Sequence, residues 1–217
     1  MDFQTTLEKA TSLHGHKCVG LVLGTRIAMA GLKSLEIAEP MQTRDLIVYV
    51  ELDRCLADAI QAITGCTIGK RTLKHVDYGK FAATFVDLSK NRAVRISVKE
   101  EARKIVKKGS EGRKSDGIRK GDSKKQERDM MAEAYSKMPD ADLLSIADVK
   151  VRVPILDLPG LPKRKVLCNL CGETIFDGRE KVSDGQILCR SCADGAYFKY
   201  YGRKRVGSSV YARKNRR

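Results

Sequence analysis

Two features of the sequence predict an α+β fold: an antiparallel sheet packed with helices, plus a small C-terminal four-cysteine zinc-ribbon-like domain. Short β-branched runs at 45–52, 72–76, 80–87 and 93–98 are interspersed with longer stretches whose apolar residues recur at helical spacing. After the stretch 154–162, with three prolines and a glycine in nine residues, come Cys168-Asn-Leu-Cys171 and Cys189-Arg-Ser-Cys192. Such punctuation marks a domain boundary. The expected organisation is an α+β domain over 1–155, a linker over 156–165, and a zinc-ribbon-like domain with a basic tail over 166–217.

Taken in order, residues 2–12 read as a helix with Phe3, Leu7 and Ala10 on one side, broken by Ser12-Leu-His-Gly15. A second helix follows from Cys18 to about Leu35, with Val19, Val22, Leu23, Ile27 and Ala30 along one side. Gly20 and Gly24 lie four apart and share a face, where another backbone can approach closely. After the strand at 45–52, Asp53 is the expected N-cap of a short helix that Gly65 ends. The strands 72–76 and 80–87 are joined by Asp77-Tyr-Gly79, and Ser89-Lys-Asn91 turns the chain into the strand at 93–98. Residues 99–108 and 124–138 read as helices around a loop at 109–117. Asp140 caps a short helix to Ile146, and Val149–Val153 is the last strand.

The formal charge is +15, unevenly spread: net 0 over 1–88, +7 over 89–153 and +8 over 154–217. A basic surface favours polyanions, and nucleic acid bound through the basic tail is one expected partner. Tyr197, Phe198, Tyr200 and Tyr201 precede Arg203-Lys-Arg205, a mixture suited to stacking and phosphate contacts, although the first two aromatics also suit packing on a small zinc core. No apolar run is long enough to span a membrane, Arg26 interrupting the best one, and no signal peptide is visible. A cytoplasmic protein is therefore expected. In that setting seven cysteines read as metal ligands or reactive thiols before disulfides.

The two Cys-x-x-Cys knuckles, 17 residues apart, supply Cys168, Cys171, Cys189 and Cys192 for a closed, structural Zn²⁺ site. The second constellation is His14-Gly-His16-Lys-Cys18, which holds two of the three histidines at a helix start. The N–H groups and dipole there favour a thiolate on Cys18. If the strand ending at Leu52 brings Cys55 beside Cys18, a mixed His/Cys site forms for a second transition metal, Zn²⁺ among the candidates. Three protein ligands would leave an open position. Cys66, at the far end of the same short helix, is a further candidate ligand. Cys18, Cys55, Asp58 and Lys70 are the candidate catalytic residues. Plain burial of the three cysteines is the alternative reading.

The ordered set His14-Gly-His-Lys-Cys-Val-Gly-Leu-Val-Leu-Gly-Thr-Arg26, Asp53-Arg-Cys-Leu-Ala-Asp-Ala-Ile-Gln61, Thr64-Gly-Cys-Thr-Ile-Gly69 and Asp77-Tyr-Gly-Lys-Phe81 resembles the formylmethanofuran dehydrogenase E-subunit family over about residues 5–155. The resemblance implies an α+β fold with an antiparallel sheet, a homodimer, and a metal site at His16, Cys18, Cys55 and Cys66, with His14 and Asp58 close by. Val19 stands where a proline often follows the first cysteine. The family name points to the tungsten or molybdenum enzyme of methanogenesis that reduces carbon dioxide onto methanofuran, and so to larger dehydrogenase subunits as partners; the chain itself shows no pterin or iron–sulfur signature. Two functions follow as expectations. One is a metal-dependent enzyme or accessory subunit of one-carbon or molybdenum metabolism. The other is a metal- or ligand-sensing regulator, or nucleic-acid-binding protein, that uses the basic zinc ribbon.

Overall fold

The computed structural model describes residues 2–43, 45–111, 120–199 and 201. They divide into two compact units, 1–152 and 153–217. In the first, α1 (Phe3–His14) and α2 (Val19–Ser34) precede β1 (Leu46–Val50), α3 (Cys55–Thr64), β2 (Leu73–His75), β3 (Ala82–Asp87) and β4 (Arg92–Val98). Then come α4 (Glu100–Glu111), α5 (Lys120–Lys137), α6 (Asp140–Leu143) and β5 (Leu144–Asp148).

The sheet order is β2-β1-β3-β4-β5, antiparallel throughout except that β2 runs parallel to β1. β2 and β3 are therefore not a hairpin about Asp77–Gly79; β1 lies between them. The period of two sends Val48, Val50, Ala83, Phe85, Val94 and Ile96 to one face, where they join the core with the helices. The other face carries Tyr49, Thr84 and Arg95 in register. There the Arg95 guanidinium donates two 2.7 Å bonds to the buried Glu51 carboxylate. The β3–β4 turn is held by Asp87, whose carboxylate accepts from Ser89 N, Ser89 Oγ and Lys90 N, while Asn91 takes φ 50°.

α2 is the central helix, packed against α1, α3, α5 and the sheet. Its glycines let these elements come close. A Cβ on Gly24 would lie 2.7 Å from the Ala59 Cβ, and one on Gly20 3.1 Å from the Cys55 Cβ. Both face α3, the shared face their spacing predicts. Arg26, the charge inside the apolar run, turns toward α5. Its guanidinium donates to the carbonyls of Tyr135, Ser136 and Met138 and to the Asp140 carboxylate at 2.6–2.9 Å, closing the α5 C-terminus where carbonyls lack helical partners.

Several boundaries differ from expectation. α1 runs on to His14, and Gly15 ends it in the left-handed region at φ 91°. Cys18 is the N-cap of α2 rather than its first residue. Arg54, not Asp53, holds the N-cap position of α3, with no side-chain bond. The helix at 140 stops at Leu143 with Pro139 at its N-cap, and residues 144–148 pair with β4, Ile146 opposite Ile96. Pairing with a buried edge thus overrides a short helical pattern, and 149–153 forms no strand. α4 continues through Glu111, and the remainder of the expected loop, 112–117, lies outside the described residues, as do Tyr200 and the basic tail 203–217.

The second unit has a 3₁₀ turn at Ile155–Asp157 and two hairpins. These are β6 (Lys165–Leu167) with β7 (Thr174–Phe176), and β8 (Lys181–Ser183) with β9 (Gln186–Leu188); a one-turn α7 (Arg190–Asp194) follows. Its buried apolar cluster is small: Cys168, Leu170, Ile175 and Leu188.

Candidate metal centres

In the second unit one knuckle forms the turn between β6 and β7, and the other follows the β8–β9 hairpin. Cys168 and Cys171 follow β6, and Cys189 and Cys192 follow β9. Gly172, at φ 75°, closes the first knuckle turn by donating its N–H to the Cys168 carbonyl. One ligand atom from each cysteine lies within 4.8 Å of the others, and the Cys171 and Cys189 sulfurs are 3.9 Å apart. Zn–S bonds of ~2.3 Å at tetrahedral angles give an S–S edge of about 3.8 Å, which the Cys171–Cys189 pair matches and the whole group approaches. Electrostatics agree. Burial opposes a charge on Cys168, but N–H groups of Cys171, Cys189 and Leu170 outweigh it and bring that thiol down to about 6. Burial and the neighbouring thiols push Cys192 up, as they do Cys171 to a lesser degree. Four thiols this close cannot all ionise unless a cation sits among them.

In the first unit the left-handed turn at Gly15 folds the chain back between α1 and α2 and stacks what lies on either side of it. The His14 and His16 rings meet with centroids 4.7 Å apart. Cys18 Sγ lies 3.8 Å from His14 Nε2 and accepts a hydrogen bond from the Leu21 N–H at 3.3 Å. Ligand atoms of His14, His16 and Cys18 all fall within 4.8 Å of one another. Asp58, in the first turn of α3, completes the arrangement: its Oδ2 accepts from His14 Nδ1 at 2.7 Å. That bond places the proton on Nδ1 and leaves Nε2 as a lone-pair donor facing Cys18. A zinc-like ion with N and S ligands would show an N–S edge of about 3.6 Å, close to the observed one.

The remaining sequence candidates divide. Cys55 sits against Gly20, beside Cys18. Burial, then the Cys18 thiol, raises its pKa. Cys55 is thus within reach of the Cys18 thiol but is not part of the group whose ligand atoms all lie within 4.8 Å of one another. Cys66 does not come to this site. It follows the opposite end of α3, only 3% exposed, and its thiol donates to the Leu46 carbonyl, with burial raising its pKa. The ten residues of α3, which begin at Cys55, separate the two, a helical rise of roughly 14 Å. Lys70 is at that same distant end, donating to the Gly65 carbonyl. His75 is exposed at the end of β2. Sequence reasoning gave no weight to Lys125 and Arg128 of α5, which line a cavity of ≈ 600 Å³ together with His16 and Cys18. Their proximity depends on how α5 crosses α2, which no local pattern encodes.

Among the described residues no helix is long and apolar enough to cross a membrane. Fold and donor sets together define a metal-binding α+β protein with an appended four-cysteine zinc finger. Residues 13–145 match the family described as "FmdE, Molybdenum formylmethanofuran dehydrogenase operon", and the chain belongs to that family. Residues 162–198 match "Prokaryotic dksA/traR C4-type zinc finger". A "Probable S-adenosyl-L-methionine-binding protein" of Archaeoglobus fulgidus is 28% identical over 205 residues, covering 91% of this chain and 54% of the relative, so the chain spans about half that relative's length. The crystal structure of a tungsten formylmethanofuran dehydrogenase FmdE-like protein from Syntrophus aciditrophicus shares the fold. Its TM-score is 0.56 at 23% identity, covering 92% of this chain and 96% of that one.

Proposed function

We propose that the first unit is a metal-dependent domain of one-carbon or molybdenum metabolism, with His14, His16 and Cys18 as the metal ligands. The observation that carries this reading is the 2.7 Å contact from Asp58 Oδ2 to His14 Nδ1, with Nε2 turned toward Cys18. A carboxylate that fixes a histidine tautomer toward a neighbouring thiol is the arrangement metal sites use to orient a ligand. The bland alternative, a buried packing cysteine, does not call for two histidines and a carboxylate around it. Three protein ligands leave one position for water or substrate, which suits Lewis-acid chemistry. Asp58 is a positioning residue in this scheme; Cys55 buttresses Cys18, and Cys66 and Lys70 belong to the fold.

The test is metal content of the full chain. Wild type should carry about two equivalents, and Cys18→Ala about one, the zinc finger being untouched. Unchanged stoichiometry in the variant rejects the site. S-adenosyl-L-methionine, named in the Archaeoglobus fulgidus relative, is a first ligand to titrate against the metal-loaded chain.

A second reading concerns the zinc unit. Tyr197 and Tyr201 are fully exposed, and the segment 154–217 carries net charge +8. We infer a nucleic-acid-binding role for it. Removing 160–217 should abolish salt-dependent retention on nucleic acid, and persistence of binding would assign the role elsewhere.

A further inference from the structure

The cavity beside the His/Cys cluster has the chemistry of an anion site. It is ≈ 600 Å³ and lies between the start of α2 and α5. His16 and Cys18 line one side; Lys17, Lys125 and Arg128 bring three cations to it, against the single carboxylate of Asp129. Among the described residues no carboxylate pairs with any of those three cations. The positive end of the 16-residue α2 dipole points to the same place, since Cys18 is its N-cap and Val19 and Gly20 line the cavity. Val19 and Met131 supply apolar wall.

The larger cavity of ≈ 800 Å³ under α1 and α2 differs in kind. Its Arg26 guanidinium is engaged by three carbonyls and Asp140, and its Lys137 by Glu133 at 2.6 Å. Two of its four cations are thus already engaged within the fold, and the carboxylates of Glu39 and Asp140 share its wall.

We propose that the α2–α5 cavity binds a small carboxylate- or phosphate-bearing molecule. Its anionic group sits among Lys17, Lys125 and Arg128, and it reaches the His16 and Cys18 side of the metal cluster. This rests on the reading of His14, His16 and Cys18 as a metal centre, and it names the ligand class of that centre: a positively charged wall next to an open coordination position selects anions over neutral or cationic molecules.

The experiment is a titration of the cobalt-loaded full chain with inorganic phosphate, followed by cobalt d–d absorption and by calorimetry. A saturable spectral change is expected. The double variant Lys125→Glu, Arg128→Glu should retain its cobalt and bind phosphate roughly tenfold more weakly. The control Lys163→Glu, Lys165→Glu makes the same charge change in the zinc unit and should match wild type. The proposal is overturned if the two double variants behave alike, or if phosphate leaves the cobalt spectrum unchanged. Should Cys18→Ala keep its metal, the metal reading alone falls. Calorimetry on the metal-free chain then still decides the cavity: weaker binding in the α5 variant supports an anion site, and equal binding rejects it.

Discussion

Asp58 and His14 meet carboxylate to imidazole at 2.7 Å, although 44 residues of sequence separate them. The contact crosses from the first turn of α3 to the last residue of α1, and it sets which imidazole nitrogen faces Cys18. Asp58→Ala should leave the fold intact, because its side chain is 49% exposed. Metal affinity of the first site should fall by about 10–100-fold, the usual cost of losing such a partner. A chelator competition assay on the full chain measures it. Equal affinity in wild type and variant would show that His14 needs no orienting group.

The approach of α2 to α3 determines whether Cys18 and Cys55 can be neighbours at all. Gly24→Ala tests it. In a helix interior alanine gains about 1 kcal/mol over glycine from propensity. Here, however, the new methyl would lie 2.7 Å from the Ala59 Cβ and 3.1 Å from the Leu56 Cα, both fixed to backbone. Overpacking of this kind costs about 1–3 kcal/mol, so the net effect should be destabilising. Denaturant unfolding reads the sign directly; a more stable variant would mean that the helices separate without cost.

These two relationships show what local pattern conveys and what it does not. The clustering of His14, His16 and Cys18 was legible because they lie within five residues at a helix boundary, and that of the four zinc cysteines because knuckle spacing is itself geometry. The glycine face at Gly20 and Gly24 was legible for the same reason. The nearness of Asp58 to His14 was legible only through the family resemblance, since it depends on the packing of α3 against α1. Cys66 failed as a site candidate on the same ground: proximity in sequence to Cys55 becomes opposite ends of a helix. The strand at 144–148 was hidden because its residues alternate weakly and are chosen by the free edge of β4.

Arg26 offers a test of how α5 is held. Its side chain is 11% exposed and satisfies three carbonyls and Asp140. Arg26→Leu keeps apolar bulk but strands those acceptors. A loss of about 3 kcal/mol is expected, the range for breaking a largely buried charged partner. Hydrogen exchange should report it as faster opening of 130–143 with β1 and β3 little changed. Uniform loss across the unit would instead make Arg26 part of the global core.

Asp87 gives a pH dependence. Burial works against its charge, but hydrogen bonds from Ser89 and Lys90 outweigh this and hold its carboxyl below the usual range. A carboxylate whose folded pKa is depressed contributes stability that is fully present above the unfolded value, about 3.9, and is lost as pH falls through the lower folded value. The β3–β4 turn should therefore loosen in acid below pH ~4. Asp87→Ala should remove that part of the pH dependence and cost about 1–2 kcal/mol at neutral pH through the lost turn bonds. Thermal melts of both proteins from neutral to acid pH compare the slopes; parallel curves would assign the acid sensitivity to other carboxylates.

Zinc removal should separate the two units. Among the described residues of the second unit, the buried apolar cluster holds only Leu170, Ile175 and Leu188 beyond one ligand cysteine. Three such side chains are too few to hold a segment of this size by apolar burial alone, so its folding depends on the bound ion. A strong chelator, or Cys168→Ser, should therefore erase exchange protection across 165–194 and leave the sheet of the first unit protected. With zinc bound, Cys168 is a thiolate well below the usual thiol range. Acid should then release the metal only as protons compete for all four sulfurs together, in one cooperative step. Survival of the β6–β7 hairpin after complete zinc loss would show that the knuckles fold without their ion.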